Sequence, residues 1–158
     1  MNGSIERIFI TPAHQYKGYY GGPPGDSPML EQSEIRCLAG RGIEGDRFLD
    51  YKEDFKGQIT FFSIEVFEAV LEELGLDPAR HCPSLVRRNV FTRNIDLNGL
   101  IGATFHLQGI PFEGSEECAP CEWMDHALTK GAYQILKGRG GLRARIRNDG
   151  ILRTGPVQ

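Results

Sequence analysis

The stretch LRARIR, Leu142 to Arg147, decides the fold class. Apolar Leu142, Ala144 and Ile146 alternate with Arg143, Arg145 and Arg147. Successive side chains of a strand point to opposite faces, so a period of two buries one face and wets the other. Glycines punctuate both sides: Gly138, Gly140 and Gly141 before the stretch, and Gly150 after it, where a last short strand Ile151 to Arg153 opens. Half-buried strands separated by glycine turns are the signature of a mostly-β domain.

The pattern recurs outward from there. Glu6 to Pro12 (ERIFITP) puts Ile8 and Ile10 on one face and Phe9 on the other. Ser33 to Ala39 (SEIRCLA), Gln58 to Phe62 (QITFF) and Arg88 to Arg93 (RNVFTR) read as strands, and Thr104 to Leu107 with Pro111 to Glu113 as a hairpin about Gly109. Ser63 is placed to cap a helix over Ile64 to Leu74, with Glu65 in its first turn, an apolar face of Phe67, Val70, Leu71 and Leu74, and a stop at Gly75 and Pro78. A second helix is expected from Pro120 through Trp123, Met124, Ala127 and Leu128, weakened or ended by Gly131. About seven or eight short strands and two peripheral helices point to a barrel or sandwich, not a wound parallel sheet. His14 to Pro28, rich in tyrosine, glycine and proline, reads either as a loop beside an active site or as an insert. There is no internal repeat.

The 158 residues suit one domain spanning 1–158. At 40% hydrophobic and 25% charged, the composition excludes a disordered or fibrous chain. The net charge is −3, but the C-terminal part is basic, with Lys130, Lys137, Arg139, Arg143, Arg145, Arg147 and Arg153 against Asp149. Such a segment suits an anionic ligand. No apolar run approaches the ~18 residues of a membrane span, and the N-terminus lacks the pattern of a secretion signal. A cytoplasmic chain is therefore expected, with Cys37, Cys82, Cys118 and Cys121 as free thiols or ligands rather than disulfides. The expected partners are a small-molecule substrate or cofactor and a redox or sulfur-donor protein, with neither nucleic acid nor membrane.

Three motifs carry chemistry. In Cys118-Ala-Pro-Cys121, a helix beginning at Pro120 would put Cys121 in its first turn, where unpaired amides stabilise a thiolate; Glu116, Glu117 and Glu122 oppose that effect. The plain alternative is two buried structural cysteines. A structural zinc needs a second close ligand pair, which the separated Cys37 and Cys82 do not supply, even with His81. In Gly138-Arg139-Gly140-Gly141-Leu142-Arg143, successive glycine amides could form an anion nest flanked by arginine forks; a simple glycine turn is the alternative. Arg87-Arg88-Asn89, followed by Arg93, reads as an anion-binding segment or as a charged edge strand. Gly42 to Arg47 (GIEGDR) reads as a turn with a local salt bridge, and His14, His106 and His126 as isolated histidines.

Taken in order, GRGIEGDR (Gly40 to Arg47), RRNVFTRNIDLNGLIG (Arg87 to Gly102), CAPC (Cys118 to Cys121) and GRGGLRARI (Gly138 to Ile146) resemble the MOSC domain, the C-terminal module of molybdenum-cofactor sulfurases. The length resembles the small stand-alone bacterial type. The resemblance implies a mainly β, barrel-like fold and a cysteine that carries sulfur or ligates molybdenum of the pterin cofactor (molybdopterin). It maps that catalytic and metal-binding cysteine to Cys121, with Asp125 as the following acid; the short Cys121–Asp125 spacing keeps Cys118 as a second candidate. It assigns cofactor binding to Arg87, Arg88, Asn89, Arg93, Arg139, Gly140, Gly141 and Arg143, although Arg88-Asn89 lacks the proline of the family's arginine–proline–asparagine element. Sulfur transfer or a molybdenum-dependent oxidoreduction, such as reduction of N-hydroxylated bases, is the activity it implies. A non-catalytic carrier or docking module, or a cysteine-ligated metal-binding domain, is the alternative. Pyridoxal phosphate belongs to the family only through a separate sulfurase domain that this sequence does not contain.

Overall fold

The structure, a computed structural model, describes residues 2–12 and 28–158. The loop expected at 14–28 lies outside them except for residue 28. Fourteen elements follow in chain order: β1 (Ser4–Ile10), β2 (Leu30–Gln32), β3 (Glu34–Leu38), β4 (Gly42–Ile43), β5 (Ile59–Ser63), α1 (Ile64–Leu74), β6 (Val90–Arg93), β7 (Thr104–Leu107), β8 (Ile110–Glu117), α2 (Trp123–Ala127), α3 (Ala132–Leu136), β9 (Leu142–Ile146), β10 (Gly150–Arg153) and β11 (Gly155–Pro156). Short 3₁₀ turns at Pro78–Arg80, Pro83–Val86 and Asn98–Leu100 fill connections.

The larger sheet has eight strands in the order β11-β1-β6-β5-β9-β8-β7, with β2 pairing to β1; the smaller is β10-β3-β4. All pairs are antiparallel except β5 with β6. Parallel neighbours need a crossover, and α1 lies on the chain between these two strands. Among the described residues no ladder joins β11 to β7, and the architecture is mostly β, as expected, in two sheets. Three α-helices stand where two were expected.

The central strands of the large sheet separate two cores. Ile8, Phe61 and Val90 enter one core, with Ile35, Cys37, Ile43, Phe112 and Ile146; their chain neighbours Phe9, Phe62 and Phe91 enter the other, with Phe67, Leu71, Trp123 and Leu136. A sheet covered on both faces needs apolar runs, which is why β5 reads ITFF rather than alternating. Ile5 shares a core with Ile8 because the β1/β6 register shifts between Ile5 and Arg7, which resets the alternation. Helix α1 matches the sequence expectation: Ser63 Oγ accepts from the Val66 amide, and Gly75 closes the helix at φ 67°. Strand β9 likewise buries Leu142, Ala144 and Ile146 and leaves Arg143 and Arg145 partly exposed.

Candidate functional site: an arginine-lined cavity at Cys118

Asp46 is the first fixed point of the site. Its buried carboxylate accepts from the Thr11 amide (3.1 Å), the Phe48 amide (3.3 Å) and Asn89 Nδ2 (3.3 Å), and lies 3.7 Å from Arg47 Nη1. Asn89 is the second. Its Oδ1 accepts from the Thr60 amide and hydroxyl, and its Nδ2 also donates to the Phe9 carbonyl at 3.1 Å. These bonds lock the GDR turn to β1 and β5, and they use up the Asn89 side chain.

Arg88 is the third fixed point. It is 7% exposed. Nε donates to the Gly140 carbonyl, Nη1 to Val86 and Nη2 to Cys118, each at 2.9 Å. One guanidinium fork therefore ties together the segment before β6, the cysteine motif and the glycine tract, the three motifs singled out in the sequence. Its donors face backbone carbonyls, which gives Arg88 a positioning role, as the bonds above give Asn89.

The glycines serve the same close approach. A Cβ at Gly140 would overlap the Cys118 carbonyl, and one at Gly141, where φ is +103°, would overlap the Phe61 carbonyl. The Gly140 amide donates to Glu117 Oε2 at 3.1 Å, and the Cys118 amide to the Gly141 carbonyl at 2.8 Å. The tract packs against the cysteine loop, and the Glu117 carboxylate occupies the Gly140 amide.

These ties leave a cavity of about 100 Å³ lined by Arg47, Phe48, Phe55, Gly57, Thr60, Arg87, Arg88, Cys118 and Arg143. Among the described residues four arginines line it and no carboxylate does. Burial pulls the Arg87 guanidinium down to about 10, Arg47 adds repulsion, and Asp46 opposes both; Arg87 stays protonated at neutral pH. Burial also lowers Arg47, against Asp46, with Arg88 adding repulsion and Cys118 acting in the opposite direction. Arg87 sits at φ 58° and stacks over the Trp123 ring, with its guanidinium carbon 5.8 Å from the centroid. Arg143 is held 3.6 Å from Glu116, which also pairs with Lys56 at 2.9 Å. Crowded, partly desolvated guanidinium groups around a small space favour an anion within it.

Of the expected site residues, the cavity gathers Arg87, Arg88, Arg143 and Cys118. Cys121 does not line it; the thiol residue packs at the edge of the helical core. Helix α2 starts at Trp123, after Glu122, so Cys121 precedes the helix instead of occupying its first turn. Pro120 lies before the helix, in a loop whose Cys118 (2.9 Å) and Ala119 (3.5 Å) carbonyls Arg88 holds. Arg93 lies on the surface, paired with Glu6 at 2.7 Å and Glu68 at 3.1 Å. Arg139 is spent on the Ile135 carbonyl and Glu73. The sequence reading missed Arg47, Phe48, Phe55, Gly57 and Thr60 as lining residues; the acid–base pair inside the glycine-rich turn at Gly42 to Arg47 was the signal for the first. All four cysteines are free thiols. Among the described residues no group of three or more His, Cys, Asp or Glu is placed to hold a metal ion, and no helix is long and apolar enough to cross a membrane.

No protein-family model matches the sequence. No curated protein matches it either. Solved structures do match the fold. The YuaD protein of Bacillus subtilis superposes with a TM-score of 0.74 at 19% identity, over 99% of this chain and 93% of that one. YiiM from Geobacillus stearothermophilus superposes at 0.69 and 12% identity, over 98% of this chain and 72% of that one. YiiM from Escherichia coli gives 0.59 and 16%, over 92% and 67%. The chain thus has the mostly-β fold that YuaD and YiiM share, carried over almost its whole length.

Proposed function

We propose that this chain is a small MOSC-type module associated with the molybdenum cofactor, and that Cys118 is the thiol that ligates molybdenum or carries sulfur. The observation that carries the reading is the placement of Cys118 in a cavity lined by four arginines. The ordered motifs of the sequence support it, as does the fold shared with YuaD and YiiM, which are proteins of MOSC type.

The donor set suits such a group at one end. A thiolate is a soft ligand, and Arg47, Arg87 and Arg143 supply forks for oxyanions. A volume of about 100 Å³ suits an oxyanion, whereas pockets for whole drug-sized ring ligands run to ~300 Å³ and above. The cavity therefore fits the anionic end of the cofactor, not its pterin rings. Bound molybdenum would supply two-electron redox chemistry. The chain's own part is to fix the thiol's loop through Arg88 and to gather positive charge.

The choice of Cys118 over Cys121 follows from the geometry: one lines the cavity and the other does not. Anaerobic titration with isolated cofactor, followed by gel filtration and molybdenum analysis, tests it. Wild type and Cys121→Ser should retain molybdenum, and Cys118→Ser should lose it. Equal retention by Cys118→Ser would overturn the assignment.

A further inference from the structure

Cys118 is only 5% exposed, and Arg88 pins its carbonyl from within the fold. Its accessible neighbourhood is a cavity of about 100 Å³ lined by arginines. A partner protein's cysteine cannot insert into that space, whereas a small anion can. Resting on the reading that Cys118 is the reactive thiol, we propose that the cavity takes a thiosulfonate-type anion, with thiosulfate the simplest member, and that Cys118 removes its outer sulfur.

The cavity lining selects among anions by the leaving group it can support. A phosphate ester transferred to a thiol releases an alkoxide, which needs a nearby general acid. Among the described residues no carboxyl or imidazole group lines this cavity. Sulfite, by contrast, leaves as a weakly basic dianion and needs no proton. The thiol first loses its proton to solvent. Its Sγ then attacks the outer sulfur of thiosulfate, a Cys118 Sγ–S bond forms, and the S–S bond of thiosulfate breaks with its electron pair going to sulfite. A thiolate and a dianion become a persulfide anion and a dianion, so charge and electrons balance without an added oxidant or reductant.

The arginines supply what such a step lacks in water. Three negative charges must meet in one small space, and Arg47, Arg87, Arg88 and Arg143 surround it. Arg143 is partly exposed, half-tied to Glu116 at 3.6 Å, and can be truncated without opening the carbonyl network of Arg88.

The test is intact-mass spectrometry of the full chain after incubation with thiosulfate, without reductant, together with assay of released sulfite. Wild type and Cys121→Ser should each gain one sulfur with one sulfite released; Cys118→Ser should gain none. Arg143→Ala should need about ten- to hundredfold more thiosulfate for half-labelling, as the loss of one charge-assisted contact implies. With cyanide present, the persulfide should return to thiol as thiocyanate forms. No added sulfur on wild type, sulfur retained by Cys118→Ser, or hydrolysis of a phosphate ester in place of sulfur uptake would overturn the inference. Cofactor retention measured on the same samples separates the two claims. Cys118-dependent molybdenum without sulfur uptake removes only the thiosulfate step, and Cys118-independent molybdenum removes the underlying assignment.

Discussion

Replacing Arg88 with methionine keeps much of its volume and removes three donors at once. The carbonyls of Val86, Gly140 and Cys118 would each lose a 2.9 Å bond from a buried guanidinium. A buried acceptor left unpaired costs ~1–3 kcal/mol, and hydrogen bonds to a charged group contribute ~1.5–3 kcal/mol each. Offsets come from water entering beside the cavity and from no longer desolvating a cation, so the net loss should be ~3–5 kcal/mol. For a domain of this size that is about 6–20 °C in melting temperature, at ~2–4 °C per kcal/mol. Lysine should recover at most about half, because its donors share one nitrogen while the fork spreads three over separate segments. Urea unfolding of wild type, Arg88→Met and Arg88→Lys measures this directly. An Arg88→Met protein within ~0.5 kcal/mol of wild type would refute the view that this residue ties the site together.

Three further outcomes follow from the same geometry. Burial pushes the Cys37 thiol up to about 12; an unfolded thiol ionises near ~8.5, so the native state holds the neutral form, and stability should be full below ~pH 8.5 and fall by up to ~1.4 kcal/mol per unit as pH rises toward 12, a slope that Cys37→Ala should abolish in urea melts. Arg93→Ala breaks only exposed pairs with Glu6 and Glu68 and should change stability by less than ~1 kcal/mol with cofactor retention unaltered. Gly141→Ala combines a φ of +103° with overlap on the Phe61 carbonyl and should cost ~3 kcal/mol or more in the same assay.

What could be read from the sequence is what local chemistry determines. The alternation of LRARIR, the Ser63 and Gly75 caps of α1, and the hairpin about Gly109 all appear where residue type and spacing put them. Strands β2, β4 and β11 did not, because two- and three-residue strands exist only through the partners they pair with. The site was half legible. Its motifs were found, but Arg87 and Arg88 look alike in sequence; only the fold shows both at the cavity and Arg88 turned onto three carbonyls. Gly140 and Gly141 were singled out for their amides, and the fold adds that their missing side chains make room for the Cys118 and Phe61 carbonyls. Pro120 suggested a helix start, and with it the choice of Cys121; the helix begins at Trp123, past a loop whose carbonyls Arg88 holds, and Cys118 lies at the cavity.

The central claim is that the cavity thiol Cys118 holds the molybdenum cofactor. Elemental analysis of protein purified without oxygen from molybdenum-replete cells tests it most directly, on wild type and on the two single cysteine-to-serine variants. The account predicts molybdenum bound to wild type and to Cys121→Ser, and close to none on Cys118→Ser with its unfolding curve intact; molybdenum lost from Cys121→Ser and kept by Cys118→Ser would contradict it.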